Sequence, residues 1–93
     1  MVKIKFTVPG VLASITGGIR EIEVDATTVG DAVSLLVSKY GEEFERRILD
    51  PTGQPKRLLN FYVNGKNIRF LSNFDTKLNE GDVVMLLPAV GGG

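Results

Sequence analysis

The sequence predicts an α+β fold, a mixed sheet of about four to five strands with one main helix packed on one face. Three observations lead there. Residues 2–8 alternate strictly between apolar and polar side chains. A single stretch with helical spacing lies between Thr28 and Gly41. The remaining apolar segments are short and separated by turn residues, above all Asn64-Gly65 and Asn79-Glu80-Gly81-Asp82. Laying the helix stripe on one face of the strands covers both with least exposed apolar surface.

In the first segment Val2, Ile4, Phe6 and Val8 share one face, and Lys3, Lys5 and Thr7 share the other. That is the pattern of a half-buried strand, ended by Pro9-Gly10. A long, mobile loop through Gly17-Gly18 leads to a second strand at about residues 19–24, where Ile22 and Val24 alternate with Glu21, Glu23 and Asp25. The two strands form a hairpin. Thr28 has the chemistry of a helix N-cap, and Asp31 that of its capping-box partner. Val29, Val33, Leu36 and Tyr40 recur at spacings of four, three and four. Ala32 and Leu35 widen this stripe, and Gly41 supplies the C-cap of a helix of about 13 residues.

Residues 42–49 add a short helical turn with Phe44, Ile48 and Leu49 inward, after which Pro51, Gly53 and Pro55 break the chain. Residues 59–63 read as a strand, Asn64-Gly65 as a two-residue hairpin turn, and residues 66–70 as its return. Residues 72–78 are turns or a short helix anchored by Leu78. The last strand spans residues 83–88 and is apolar on both faces. The expected core is Val2, Ile4, Phe6, Val33, Leu36, Phe61, Val63, Val84 and Leu86.

Composition removes several kinds of chemistry. Eleven Lys and Arg balance eleven Asp and Glu, which argues against a generally basic nucleic-acid binder. Without cysteine there is no disulfide, thiolate metal site or cysteine nucleophile. Without histidine there is no Ser-His-Asp triad and no imidazole metal ligand. No apolar run approaches the ~20 residues that span a bilayer. The opening Met1-Val2-Lys3-Ile4-Lys5 has no signal-peptide core. The expectation is a cytoplasmic protein with no nucleic-acid or membrane partner and no metal. Asp50, Asp75 and Asp82 lie among turn residues, where Asp commonly accepts from local backbone. Arg46, Arg47, Lys56 and Arg57 read as a solvated face.

The end of the chain carries the informative feature. Gly91-Gly92-Gly93 follow a strand expected inside the sheet. A backbone without Cβ atoms can enter a channel too narrow for side chains. The opening strand, the Thr28-to-Gly41 helix, the Phe61-Tyr62-Val63-Asn64-Gly65 hairpin and the ending from Glu80-Gly81-Asp82 through Pro88-Ala89-Val90-Gly91-Gly92-Gly93 occur in that order. This arrangement resembles the ubiquitin-like sulfur-carrier family over nearly the whole chain. That family includes the small subunit of molybdopterin synthase and the carriers of the thiamine and cysteine pathways. The long loop after Gly10 and the insertion around Asp50-Pro51 resemble the molybdopterin and cysteine carriers more than the shorter thiamine one. Gly91 departs from the pattern by lengthening the glycine run.

The resemblance implies a β-grasp domain over residues 1–88 and a functional tail over residues 89–93. It implies a co-substrate rather than an enzyme, one that binds no cofactor itself. An activating enzyme of the ubiquitin-activating type adenylates the Gly93 carboxylate with ATP, and Gly92 belongs to the same site. A sulfurtransferase then leaves a thiocarboxylate, which donates sulfur to an acceptor synthase. That acceptor is the large subunit of molybdopterin synthase in the first instance, or a cysteine synthase. Pro88, Ala89, Val90 and Gly91 belong with partner binding.

Parity places a second surface. Asn60 and Tyr62 oppose Leu59, Phe61 and Val63, while Val83, Met85 and Leu87 oppose Val84 and Leu86. The helix covers one face only. The resemblance assigns Val84 and Leu86 inward, which leaves Tyr62, Met85 and Leu87 as an exposed docking patch. The competing arrangement folds residues 42–58 over that patch. Two other functions share these residues: conjugation of Gly93 to lysines of target proteins, and a non-conjugated interaction module with an inert tail.

Overall fold

The alternation of the opening segment becomes β1 (Val2–Thr7) in the computed structural model, which describes residues 1–88. It is followed by β2 (Glu21–Ala26), α1 (Val29–Tyr40), α2 (Glu42–Ile48), β3 (Leu59–Val63), β4 (Lys66–Asn67) and β5 (Val83–Pro88). The sheet order is β2-β1-β5-β3-β4. β1 runs antiparallel to β2 and parallel to β5, and β3 runs antiparallel to both β5 and β4. The sheet is therefore mixed, with its one parallel pair at the centre, and α1 lies in the crossover. This is the β-grasp arrangement that the resemblance implies.

β2 begins two residues later than the alternation alone places it. The β1–β2 ladder runs from Thr7↔Glu21 to Val2↔Ala26, so the buried Ala26 belongs to the strand. Arg20 closes the ladder from outside it: its carbonyl accepts from the Val8 amide at 2.8 Å, and its Nε donates to the Val8 carbonyl at 3.1 Å. The connecting loop is folded rather than loose. Leu12 and Thr16 are buried in it, and the Thr16 hydroxyl lies 3.1 and 2.6 Å from the carbonyls of Ala13 and Ile19.

α1 starts where the capping residues place it. The Thr28 hydroxyl accepts from the Asp31 amide at 3.1 Å, and the Asp31 carboxylate accepts from the Thr28 amide at 3.3 Å. Val29, Ala32, Val33 and Leu36 are buried by this helix, but Leu35 stands 45% exposed at its flank. In α2, Phe44 and Ile48 are fully buried and join the α1 core, while Leu49 is half-buried. Gly30 permits a close approach that sequence patterning does not reveal, since a Cβ there would sit 3.1 Å from the Phe74 carbonyl oxygen.

Asn64 and Gly65 have φ of 52° and 87°, the pair of positive values that a type I′ turn requires. The return strand is only Lys66–Asn67, not residues 66–70. The Asn67 side chain accepts from the Arg69 amide at 2.9 Å and turns the chain into a short 3-10 helix, Ile68–Phe70. Leu78 is buried as expected. Of the expected core, only Val2 is not fully buried. It sits at the end of β1 and packs against the edge of the cluster. Phe61 lies at the centre, edge-on to Phe6 at 6.4 Å and to Phe74 at 5.4 Å.

Candidate functional site

The site grows from the way β5 is held. Two turns lock its start. Asn64 donates from Nδ2 to the Asp82 carboxylate at 2.9 Å and accepts at Oδ1 from the Val83 amide at 2.9 Å. The Asp82 carboxylate also accepts from the Asn79 amide at 2.8 Å. These bonds tie the β3–β4 turn to the turn before β5. They fix the register of the central strand, and with it the place where the chain leaves the sheet. β5 ends at Pro88, opposite Leu59. Ala89, Val90, Gly91, Gly92 and Gly93 lie outside the described residues.

The outer face follows from that register. Met85 stands between Thr7 of β1 and Tyr62 of β3, and Leu87 stands opposite Asn60. Tyr62, Met85 and Val83 are half-buried, and Leu87 is 39% exposed. The three residues that parity and the resemblance together assign outward do share one face, but only Leu87 is exposed as expected; Tyr62 and Met85 are partly covered. The buried residues of α2, Phe44 and Ile48, join the core on the other side, so α2 does not close over this patch. Val83, of the same parity on β5, belongs to this face as well. Leu58 is 66% exposed but lies in the turn before β3, outside the ladder.

The same outer face changes character across the sheet. The β5–β3 half is apolar. The β2–β1 half carries Glu21, Glu23 and Asp25 opposite Thr7, Lys5 and Lys3. Lys5 and Glu21 form an exposed diagonal ion pair at 3.7 Å. Such a pair is worth little by itself, but it keeps this half of the face polar.

Asp50 acts within its own turn. The Thr52 hydroxyl donates to the Asp50 carboxylate at 2.6 Å, with the Thr52 and Gln54 amides at 2.9 and 3.1 Å. The Thr52 hydroxyl contributes most; desolvation opposes it, and the amides of Gln54, Thr52 and Gly53 add to it, so that the Asp50 carboxyl is held below the usual carboxylate range. Bonds of this kind stabilise the charged form in a turn. Among the described residues no cluster of three or more acidic side chains is arranged to hold a metal ion, and no helix is long and apolar enough to cross a membrane.

Comparison with known proteins places this geometry. The model of the ThiS family matches residues 6–93. The sulfur carrier protein CysO of Mycobacterium tuberculosis is 36% identical over 89 residues, covering 94% of this chain and 95% of that protein. Its crystal structure superposes with a TM-score of 0.85 at 32% identity, over 94% of this chain and 99% of that one. A chain in the crystal structure of the Amycolatopsis orientalis BexX/CysO complex superposes equally well, with a TM-score of 0.85 at 28% identity over 97% and 99% of the two chains. Small archaeal modifier protein 3 of Haloferax volcanii is 36% identical over 69 residues, covering 74% of this chain and 73% of that protein.

Proposed function

The chain belongs to the ThiS family, and on that premise we propose that it is a sulfur carrier working through the carboxylate of Gly93. It is a small carrier rather than an enzyme. The observation that supports this reading is the family match itself, which runs through Gly92 and Gly93. A carboxylate is a poor electrophile until one oxygen becomes a good leaving group. In the proposed cycle an activating enzyme lets the Gly93 carboxylate attack the α-phosphate of ATP, and pyrophosphate leaves. A sulfur donor then displaces AMP, the C–S bond forming as the acyl–phosphate C–O bond breaks: sulfide gives the thiocarboxylate directly, and a sulfurtransferase persulfide gives an acyl disulfide that a thiol cleaves, leaving the thiocarboxylate and a disulfide on the partner. The product is a C-terminal thiocarboxylate, a soft nucleophile that an acceptor synthase can consume. Every proton transfer in this sequence falls to the partners, in keeping with a chain that has neither cysteine nor histidine.

Two acceptors fit. The sequence resemblance points first to the large subunit of molybdopterin synthase. The identity with CysO supports a cysteine synthase as acceptor at least as well. The test is intact-mass analysis after incubation with the activating enzyme, ATP and a sulfur donor. The expected product is heavier by the difference between one sulfur and one oxygen, and it forms only with ATP. An unchanged mass while ATP is consumed overturns the reading. The likeness to a small archaeal modifier supports a second use of the same adenylate, conjugation to lysine. Its signature is a glycine remnant on target lysines.

Tyr62, Met85 and Leu87 form the docking face in this proposal, with Pro88, Ala89, Val90 and Gly91 leading into the partner's channel. Leu87→Asp and Met85→Asp put a charge where apolar surface is to be desolvated, and Tyr62→Ala removes an aromatic anchor. Each is expected to weaken binding to the activating enzyme about tenfold or more, with native circular dichroism. Titration calorimetry measures this directly. Unchanged affinity in all three variants eliminates the surface.

A further inference from the structure

Among the described residues β2 is an edge strand, with β1 on one side and no strand on the other. The Val8 amide donates to the Arg20 carbonyl at 2.8 Å, and the same register continues through Phe6↔Ile22 and Ile4↔Val24. In an antiparallel ladder these alternate pairs exchange the inter-strand bonds. The backbone N–H and C=O groups of Glu21, Glu23 and Asp25 therefore point away from β1, toward the free edge. Among the described residues no backbone bond takes them up.

A groove of about 410 Å³ lies beside this edge between β2 and α1, lined by the apolar Met1, Ile22, Val24, Leu35 and Leu36 together with Glu23, Asp25 and Lys39. Leu35 belongs to the apolar stripe of α1 in sequence, yet the core leaves it 45% exposed here. An unpaired strand edge beside a groove with an apolar floor and charged rim has the two parts of a strand-addition site. Main-chain bonds give affinity, and pockets for alternate side chains give selectivity.

Charge selects the occupant. Glu21, Glu23 and Asp25 are all exposed on the outer face. A strand added to β2 sets its own outer residues directly opposite them, within reach of cross-strand ion pairing. A second copy pairing through its own β2 would bring acid against acid, which is destabilising. A strand carrying lysine or arginine at those positions gains instead. Its alternate residues face Ile22, Val24 and Leu35, and need to be apolar to fill the groove. We infer that the β2 edge and the β2–α1 groove form a docking site for an extended segment of a partner protein in which basic and apolar residues alternate. β1 separates this edge from β5, so the site leaves the Tyr62, Met85 and Leu87 face free. Two partners can be held at once.

The experiment uses the full-length, isotope-labelled chain and a short synthetic peptide alternating lysine and valine. A peptide of the same length alternating glutamate and valine is the control. The lysine peptide is expected to shift and slow the exchange of the Glu21, Glu23 and Asp25 amides, to perturb Val24 and Leu35, and to bind about tenfold more tightly than the control. Leu35→Asp, at an exposed helix position, removes this binding while the spectrum stays native. Glu23→Lys lowers the preference for the lysine peptide. Three results overturn the inference. Perturbation absent from β2 leaves the acids as guards against edge-to-edge aggregation. Equal binding of both peptides removes the charge selection. Concentration-dependent protection of the same amides without peptide makes a second copy the occupant.

Discussion

Phe61→Ala is expected to destabilise the fold by about 3–5 kcal/mol, the upper range for truncating a buried side chain. Phe61 is 1% exposed and pairs with Leu86 across the β3–β5 ladder. Its ring is edge-on to Phe6 at 74° and to Phe74 at 85°. Each such aromatic pair adds about 0.5–1.5 kcal/mol beyond the area it buries. The site cannot relax cheaply, because Phe61 stands on β3 inside the sheet and the neighbouring rings are held by β1 and by the turn before Thr76. A small domain has only about 5–15 kcal/mol of total stability. The loss should therefore appear as a large fall in the urea midpoint at unchanged slope. Leu35→Ala is the internal comparison. It lies beside Leu36 in sequence but is 45% exposed, and is expected to cost below about 1 kcal/mol. A cost below about 1 kcal/mol for Phe61→Ala would contradict the packing described for β3.

The contrast between Leu35 and Leu36 shows where the sequence was legible. Helix spacing marks both as apolar, because a stripe read from one helix has no partner in view. Only the position of β2 decides which flank of the stripe is covered. Local chemistry was more informative. Thr28 and Asp31 announce the start of α1 because a hydroxyl and a carboxylate at that spacing satisfy free amides at a helix start. Asn64-Gly65 announces a hairpin because the turn needs positive φ twice. β2 lies two residues later than placed from sequence: Ala26 continues the phase of Ile22 and Val24 whereas Ile19 shares that of Glu21 and Glu23, and the ladder with β1 runs from Glu21 to Ala26. β4 was overextended because Ile68 looks like a strand residue. Its burial is achieved in a 3-10 turn set by the Asn67 side chain. That Met85 and Tyr62 share a face was legible only with the family resemblance, since parity separates the two sets of β5 without saying which is inward; their pairing is seen only in the ladder. The free edge of β2 could not be read at all, since strand order is a property of the assembled sheet.

Deleting Gly93, or replacing Gly92 by valine, is expected to abolish activation while leaving thermal stability unchanged. The second half of this expectation rests on the fold. Among the described residues every member of the core cluster lies at or before Leu86, and Pro88 at the end of β5 is already exposed. The first half rests on the proposed chemistry. An acyl adenylate forms only if a main-chain carboxylate is brought against the α-phosphate of ATP in the activating enzyme. Removing one residue displaces an extended carboxylate by ~3.3–3.6 Å. A displacement of about 1 Å can already cost about a hundredfold in rate, so a larger one should leave no measurable activation. Valine at position 92 acts differently. Its branched Cβ adds bulk where glycine has none and restricts the backbone conformations available to the tail. The measurement is ATP–pyrophosphate exchange with the cognate activating enzyme, beside a melting curve for each variant. Loss of exchange with an unchanged melting temperature is the expected result. Exchange at the wild-type rate by the chain lacking Gly93 overturns the carrier reading, and leaves an interaction module whose glycine tail is inert.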